Sequence, residues 1–324
     1  MRVVTRLLVA SLVAGCGHDN VVAPTTPQDP ASAQIVTADL THFWDAYDAG
    51  GSTGSQSAFQ STYLDRASDG LKDFIRARSV TVSSLAQMVL AYPRYFAAIR
   101  SSNLALTTGA VDARIRANYA TIKSLYPPAV FPPVTLLVGR FSTGGTTAVS
   151  GILIGTEFYS ITATTPLDEL QPFQHDNVKA ADSLPIIVAH EHAHVLQMRS
   201  GGMFAHSNKN LLEQSLMEGG ADFIGERSSG GNINAWLFPI ALPMEPALWQ
   251  DFKAEMHGTD VSRWLYNQGS STATPTRPGD LGYFIGYRIV QAYYLKQSDK
   301  TQALRDIIEL KDADAFLAAS GYSP

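Results

Sequence analysis

The chain is almost devoid of cysteine, with Cys16 the single one among 324 residues. No disulfide can form within one chain, so stability must come from a packed core, for which the length suffices. Charged residues are sparse at 16%, against 45% hydrophobic, and the net charge is −5. No basic run or Arg/Lys-aromatic cluster stands out, which excludes nucleic acid as a partner. The composition carries no signature of disorder, and no repeat of fixed period is present. An apolar run near the N-terminus, Leu7 to Val13, is too short to span a bilayer as a mature helix.

That run has a different reading. Arg2 and Arg6 precede it and small residues follow, the pattern of a secretory signal over residues 1–15. Cys16, after Val13, Ala14 and Gly15, resembles the lipobox cysteine that bacteria lipidate and expose as a new N-terminus; the alternative is a plain signal peptide with an incidental cysteine. Lipidation implies an extracytoplasmic lipoprotein of the bacterial cell envelope, held to a membrane by its N-terminal lipid. Gly17 is compatible with sorting to an outer membrane. Cleavage takes Arg2 and Arg6 away and moves the net charge from −5 to −7. Residues 16–34, rich in Pro, Ser and Thr, read as a tether, and residues 35–324 as one domain.

Within that domain, residues 35–127 carry apolar side chains at three- and four-residue spacing and read as helices. Val134 to Val138 and Gly151 to Tyr159 read as strands joined by a Gly/Thr/Ser loop, and helices resume from residue 178. The expected fold class is α+β, mostly helical, with a small sheet just ahead of a histidine cluster. The strand from Gly151 to Tyr159 is either a cleft edge that pairs with an extended peptide or simply a core strand.

The cluster lies in "SLPIIVAHEHAHVLQMRSGG", residues 183–202. As a strand it would set His190, His192 and His194 on one face; as a helix it pairs His190 with His194 and turns His192 about 160° away. Apolar even positions fit a strand, but length decides for a helix. Asp182 or Ser183 is placed to cap it, Pro185 suits the first turn, and Gly201-Gly202 stops it after roughly four turns. The helix then spells H-E-x-x-H, whose two imidazoles can share one Zn²⁺ with Glu191 beside its open position. A longer H-E-x-x-H-x-x-G-x-x-H pattern is excluded, because Gln197 and Ser200 stand at the last Gly and His. Downstream, Asn210 and Glu213 form a capping box, while Glu218 sits mid-helix 24 residues after His194, with Asp222 one turn later. Gly219, Gly220 and Ala221 allow close backbone approach.

H-E-x-x-H followed by E-x-x-x-D on a second helix resembles the gluzincin metallopeptidases. The resemblance implies a zincin-like core, zinc held by His190, His194 and Glu218, Glu191 as general base, and Asp222 orienting a ligand histidine. More loosely, "GILIGTEFY", "MEGGAD", "LGYFIGYRIV" and "DADAFLAASGY" are similar to bacterial predicted zinc proteases and gliding-motility-type lipoproteins. The implied activity is zinc-dependent hydrolysis of peptide or protein substrates. Tyr283 and Tyr287, one turn apart, are either donors to a reaction oxyanion or members of a packing helix with a small-residue groove around Gly282 and Gly286. His206 and His257 read as loop or surface residues. Two other classes fit: a binding or assembly lipoprotein that holds zinc without turnover, and a zinc hydrolase of other amides or esters. An intact Glu191 argues for turnover, since a structural zinc site needs no base.

Overall fold

A computed structural model describes residues 26–206, 209–270, 273, 274 and 276–324. The expected signal segment, Cys16 and the first part of the expected tether lie outside these residues. The rest of that segment lies against the domain: Phe131 donates its N–H to the Pro27 carbonyl at 2.7 Å, and Ala33 is buried.

The elements run β1 (Ile35–Val36), α1 (Ala38–Asp48), α2 (Gln56–Ala58), α3 (Asp69–Arg78), α4 (Val82–Ala91), α5 (Pro93–Ala105) and α6 (Ala110–Leu125). The sheet strands β2 (Val134–Leu137), β3 (Gly145–Ala148) and β4 (Gly151–Gly155) follow. Then come α7 (Pro172–Asn177), α8 (Leu184–Arg199), α9 (Leu211–Ser229), α10 (Phe238–Ala241), α11 (Glu245–Glu255), α12 (Leu281–Lys296), α13 (Lys300–Ile308) and α14 (Ala313–Ser320). The chain is thus mostly helical with a small mixed sheet, the expected α+β class. Among the described residues no helix is long and apolar enough to cross a membrane.

The sheet order is β1-β2-β4-β3, with β2 parallel to β1 and β4, and β3 antiparallel to β4. The sequences of β2 and β4, VTLL and GILIG, are buried at every position, as strands covered on both faces must be. Three details depart from the sequence expectation. The Gly/Thr/Ser loop contains the strand β3, whose small polar residues hide a strand signal. The second expected strand stops at Gly155, and Thr156–Phe158 form a 3-10 turn. That strand is interior, and the edge strands of the sheet are β1 and β3. Ile35 and Val36, read as the start of a helix, pair with Val134 and Thr135 nearly a hundred residues away. Two residues are too few to show a period, and only the distant partner makes them a strand.

Buried polar groups tie the helical N-terminal part to the sheet. Asn103 accepts from Trp44 Nε1 at 2.8 Å and donates to Thr156 Oγ1 at 2.9 Å and Ser160 Oγ at 2.8 Å. Burying an amide is costly unless all its groups are paired, and here they are. Glu157, fully buried, accepts from the N–H groups of Gly139 at 3.0 Å and Phe141 at 2.9 Å. Phe141 is held at φ +56, an unfavourable region for a bulky residue that these bonds enforce. The carboxylate thereby shapes the turn that leads from β2 into β3.

Helices α8, α9 and α12 form the other layer. Near the α9–α12 crossing there is no room for a side chain: a Cβ on Gly219 would lie 2.0 Å from Tyr287 N, and one on Gly286 1.7 Å from the Ser215 carbonyl oxygen. The expected close approach around Gly219 is therefore real, and its partner is α12.

Candidate metal centre

Helix α8 begins at Leu184 with Pro185 in its first turn. Neither expected cap bonds the helix through its side chain; Asp182 pairs instead with Arg114 at 2.6 Å. The helix is buried on nearly every face from Leu184 to Gln197, wedged between the sheet, α6 and α9. This explains why its sequence looks apolar at both strand and helix spacing: all sides face protein.

Helix α9 starts with the expected capping box, Glu213 N–H to Asn210 Oδ1 at 2.9 Å and Asn210 N–H to Glu213 Oε2 at 2.8 Å. It runs antiparallel to α8, since Gln197 meets Met217, His194 meets Glu218 and His190 meets Asp222. Gly225 allows the approach, being within van der Waals reach of the His190 backbone.

The pairing brings three buried groups together. His190 Nε2 and His194 Nε2 lie 3.0 Å apart, and Glu218 Oε2 is 3.1 Å from His194 Nε2 and 3.6 Å from His190 Nε2. The far side of each ring is fixed. His190 Nδ1 donates to Asp222 Oδ1 at 2.7 Å, and His194 Nδ1 donates to Gln197 Oε1 at 2.9 Å. The Gln197 amide is oriented in turn by its donation to the Met217 carbonyl at 2.9 Å. With both Nδ1 atoms protonated, two ring lone pairs and a carboxylate oxygen converge on one point. Three acceptors so close repel one another unless positive charge sits between them. The electrostatics agree: burial opposes a charge on His190, yet hydrogen bonds to Asp222 and Glu218, with the nearby charges of Asp222 and Glu191, raise its pKa well above the usual imidazole value. The donor set therefore suits a cation, and two imidazoles with one carboxylate are a zinc set.

Glu191 is 1% exposed, and its Oε2 has no hydrogen-bond partner. Its carboxylate lies against Gly145 of β3, where a Cβ would come within 2.7 Å of Oε1. Glu191, His190 and Tyr283 line one cleft of about 180 Å³, with Thr143 to Gly145 along its rim. An unpartnered carboxylate facing a cleft beside a cation-binding point is placed to take a proton from water.

The two candidate tyrosines part company. Tyr283 lines the cleft, its ring stacked 6.4 Å from His190. Tyr287 packs between Phe223 and Phe238 and donates its hydroxyl to Glu226 at 2.8 Å. His192 faces away, as helical geometry requires: its Nε2 bonds the Val130 carbonyl at 2.7 Å, its ring packs on Tyr119 and Phe131, and burial pushes its pKa down to about 4. His206 and His257 lie exposed, away from the cluster.

Three contributors are not legible from motif spacing. Tyr266 donates to Glu218 Oε1 at 2.6 Å, Asn234 donates to Asp222 Oδ2 at 2.9 Å, and Gln197 steers His194. Tyr266 belongs to a loop, held at φ +56, whose next residue Asn267 exchanges two hydrogen bonds with Asp280 at the start of α12. Gln197 was visible as a departure from the longer histidine motif, but its position gives no hint of its bond.

No curated protein and no solved structure matches the chain. Residues 167–312, which carry α7 to α13 and thus both histidines, Glu191, Glu218 and Asp222, match the family model described as "Predicted Zn-dependent protease (DUF2268)".

Proposed function

We propose that this protein is a zinc-dependent metallopeptidase with a zincin-like core. The carrying observation is the convergence of His190 Nε2, His194 Nε2 and Glu218 Oε2 beside the partnerless Glu191 carboxylate, all within the region similar to the zinc-protease family. When bound, zinc polarises a substrate carbonyl and acidifies water. His190, His194 and Glu218 hold the ion, and Asp222 and Gln197 fix the imidazole tautomers. Glu191 takes a proton from the attacking water at Oε2 and returns it to the leaving amine. Tyr283, at the cleft wall, is the better placed of the two tyrosines to donate to the oxyanion. The edge strand β3, which lines the cleft at Gly145, is the part of the sheet that an extended peptide would meet. The N-terminal sequence supports secretion and lipid anchoring at Cys16 in a bacterial cell envelope; metabolic labelling with a fatty acid, lost in Cys16→Ala, tests that part.

The central test is metal analysis of purified protein together with hydrolysis of a peptide library by wild type and Glu191→Gln. One zinc per chain and cleavage that disappears in the variant are expected. Stoichiometric zinc without Glu191-dependent cleavage would instead favour a binding lipoprotein.

A further inference from the structure

Lys179 lines the same cleft as His190 and Glu191, and it is the only lysine or arginine that does so among the described residues. Its backbone is pinned on both sides: the N–H donates to the Phe158 carbonyl at 2.7 Å, and the carbonyl accepts from Ile161 N at 3.3 Å. The backbone from which the ammonium extends is thus fixed against the segment that follows the sheet. Half-buried cations elsewhere in the fold are paired, as Arg288 is with Glu245 and Lys123 with the Pro127 and Ala129 carbonyls. The Lys179 ammonium makes no hydrogen bond or ion pair with any described residue.

Burial lowers the Lys179 pKa from the ordinary lysine value, with no carboxylate offsetting it. Neither carboxylate residue that lines the cleft, Glu191 or Asp280, forms an ion pair with this ammonium. Taking a cation partly out of water without a partner costs free energy that nothing in the fold returns. The nearby wall contains Phe158, Tyr159 and Trp236, whose apolar surfaces strengthen any charge pair formed there by excluding water.

We propose that Lys179 is a specificity-determining residue that receives a carboxylate of the peptide substrate. This rests on the peptidase reading and narrows it to peptides with an anionic group a short distance from the scissile bond. The carboxylate has two possible sources, a free C-terminus or an Asp or Glu side chain, and both present the same charge-assisted acceptor. Lys179 takes no part in bond making; it positions the substrate.

Two readouts separate this proposal from the peptidase reading. Zinc-loaded Glu191→Gln protein, immobilised, is offered equimolar random peptide pools in four forms: free-acid and amidated C-termini, and amidated peptides with Asp/Glu or with Asn/Gln at fixed positions. Captured peptides are counted by mass spectrometry. At least about tenfold enrichment of one carboxylate form is expected, falling towards unity with an added Lys179→Met and kept with Lys179→Arg. Enrichment of the free-acid pool marks the C-terminus as the source, and enrichment of the Asp/Glu pool marks a side chain. Equal capture of acid and amide forms, capture of neither, or enrichment that survives Lys179→Met overturns the proposal, whatever the turnover. The same pools are offered to wild type: absence of hydrolysis there, with Lys179-dependent enrichment intact, refutes the peptidase reading and leaves the carboxylate site standing. Where hydrolysis occurs, the Lys179→Met defect should fall on KM, not kcat. In thermal unfolding Lys179→Arg should stay close to wild type and Lys179→Met should be at least as stable, since it removes an unpartnered, partly buried charge.

Discussion

Gln197 and His194 form a hydrogen bond of 2.9 Å, three residues apart on one helix, in which the glutamine oxygen accepts from Nδ1. The other end of the same amide donates to Met217 on α9. One side chain therefore sets a histidine tautomer and ties together the two helices that supply the metal ligands. The amide cannot flip without placing two donors or two acceptors face to face.

Replacing Gln197 by Leu should free the His194 ring and weaken zinc binding by about 10- to 100-fold. Chelator competition measures this, and Gln197→Glu, which restores an acceptor for Nδ1, should bind zinc better than the leucine variant. Equal zinc affinity in all three proteins would contradict the orienting role.

Tyr283→Phe and Tyr287→Phe should differ. The Tyr283 ring faces the cleft, so loss of its hydroxyl should lower kcat by about 10- to 100-fold with KM little changed. The Tyr287 hydroxyl is committed to Glu226, so its removal should cost about 1 kcal/mol of stability and leave turnover within about twofold. Steady-state kinetics and urea unfolding of the pair check both halves.

Gly286→Ala should be severely destabilising, by ~3 kcal/mol or more, because the new methyl group meets the Ser215 carbonyl backbone, which cannot swing aside. Gly230, in open space at the end of α9, is not a fair control because its φ is +76. A better comparison is Ala318→Gly on the outer helix α14, which should cost about 1 kcal/mol from helix propensity. Urea midpoints for both variants give the ordering.

Glu157 predicts a pH dependence of stability. Burial, only partly countered by the Gly139 and Phe141 N–H groups, raises its pKa from 4.5 to about 7. Between those values the folded state holds a proton that the unfolded chain has lost, so stability from this group falls as pH rises through the window and levels off above it. Unfolding at pH 4.5 and pH 7.5 should show a loss of about 3 kcal/mol relative to Glu157→Gln, which cannot titrate. A constant difference between the two proteins across that range would refute the assignment.

The helix periods and the ligand motif were readable because they are local. His190, Glu191 and His194 are fixed relative to one another by one turn of helix, and Asn210 with Glu213 specifies where the next helix starts. Glu218 and Asp222 share that next helix, so their spacing too is local. By contrast β1 and β3 escaped the sequence reading. Ile35 and Val36 are a strand only because Val134 and Thr135 lie beside them, and Gly145 to Ala148 only because β4 does.

The sequence by itself determined the residue types of the centre and their grouping on two helices, since helical geometry follows from covalent structure and side-chain periodicity. Only the tertiary structure decided which carboxylate meets the histidines, which tyrosine reaches the cleft, and that Tyr266, Asn234, Gln197 and Lys179 surround it. Those relations depend on where separate elements pack. That packing is set by many contacts at once, such as the glycine crossing of α9 and α12, and no short stretch of chain encodes it.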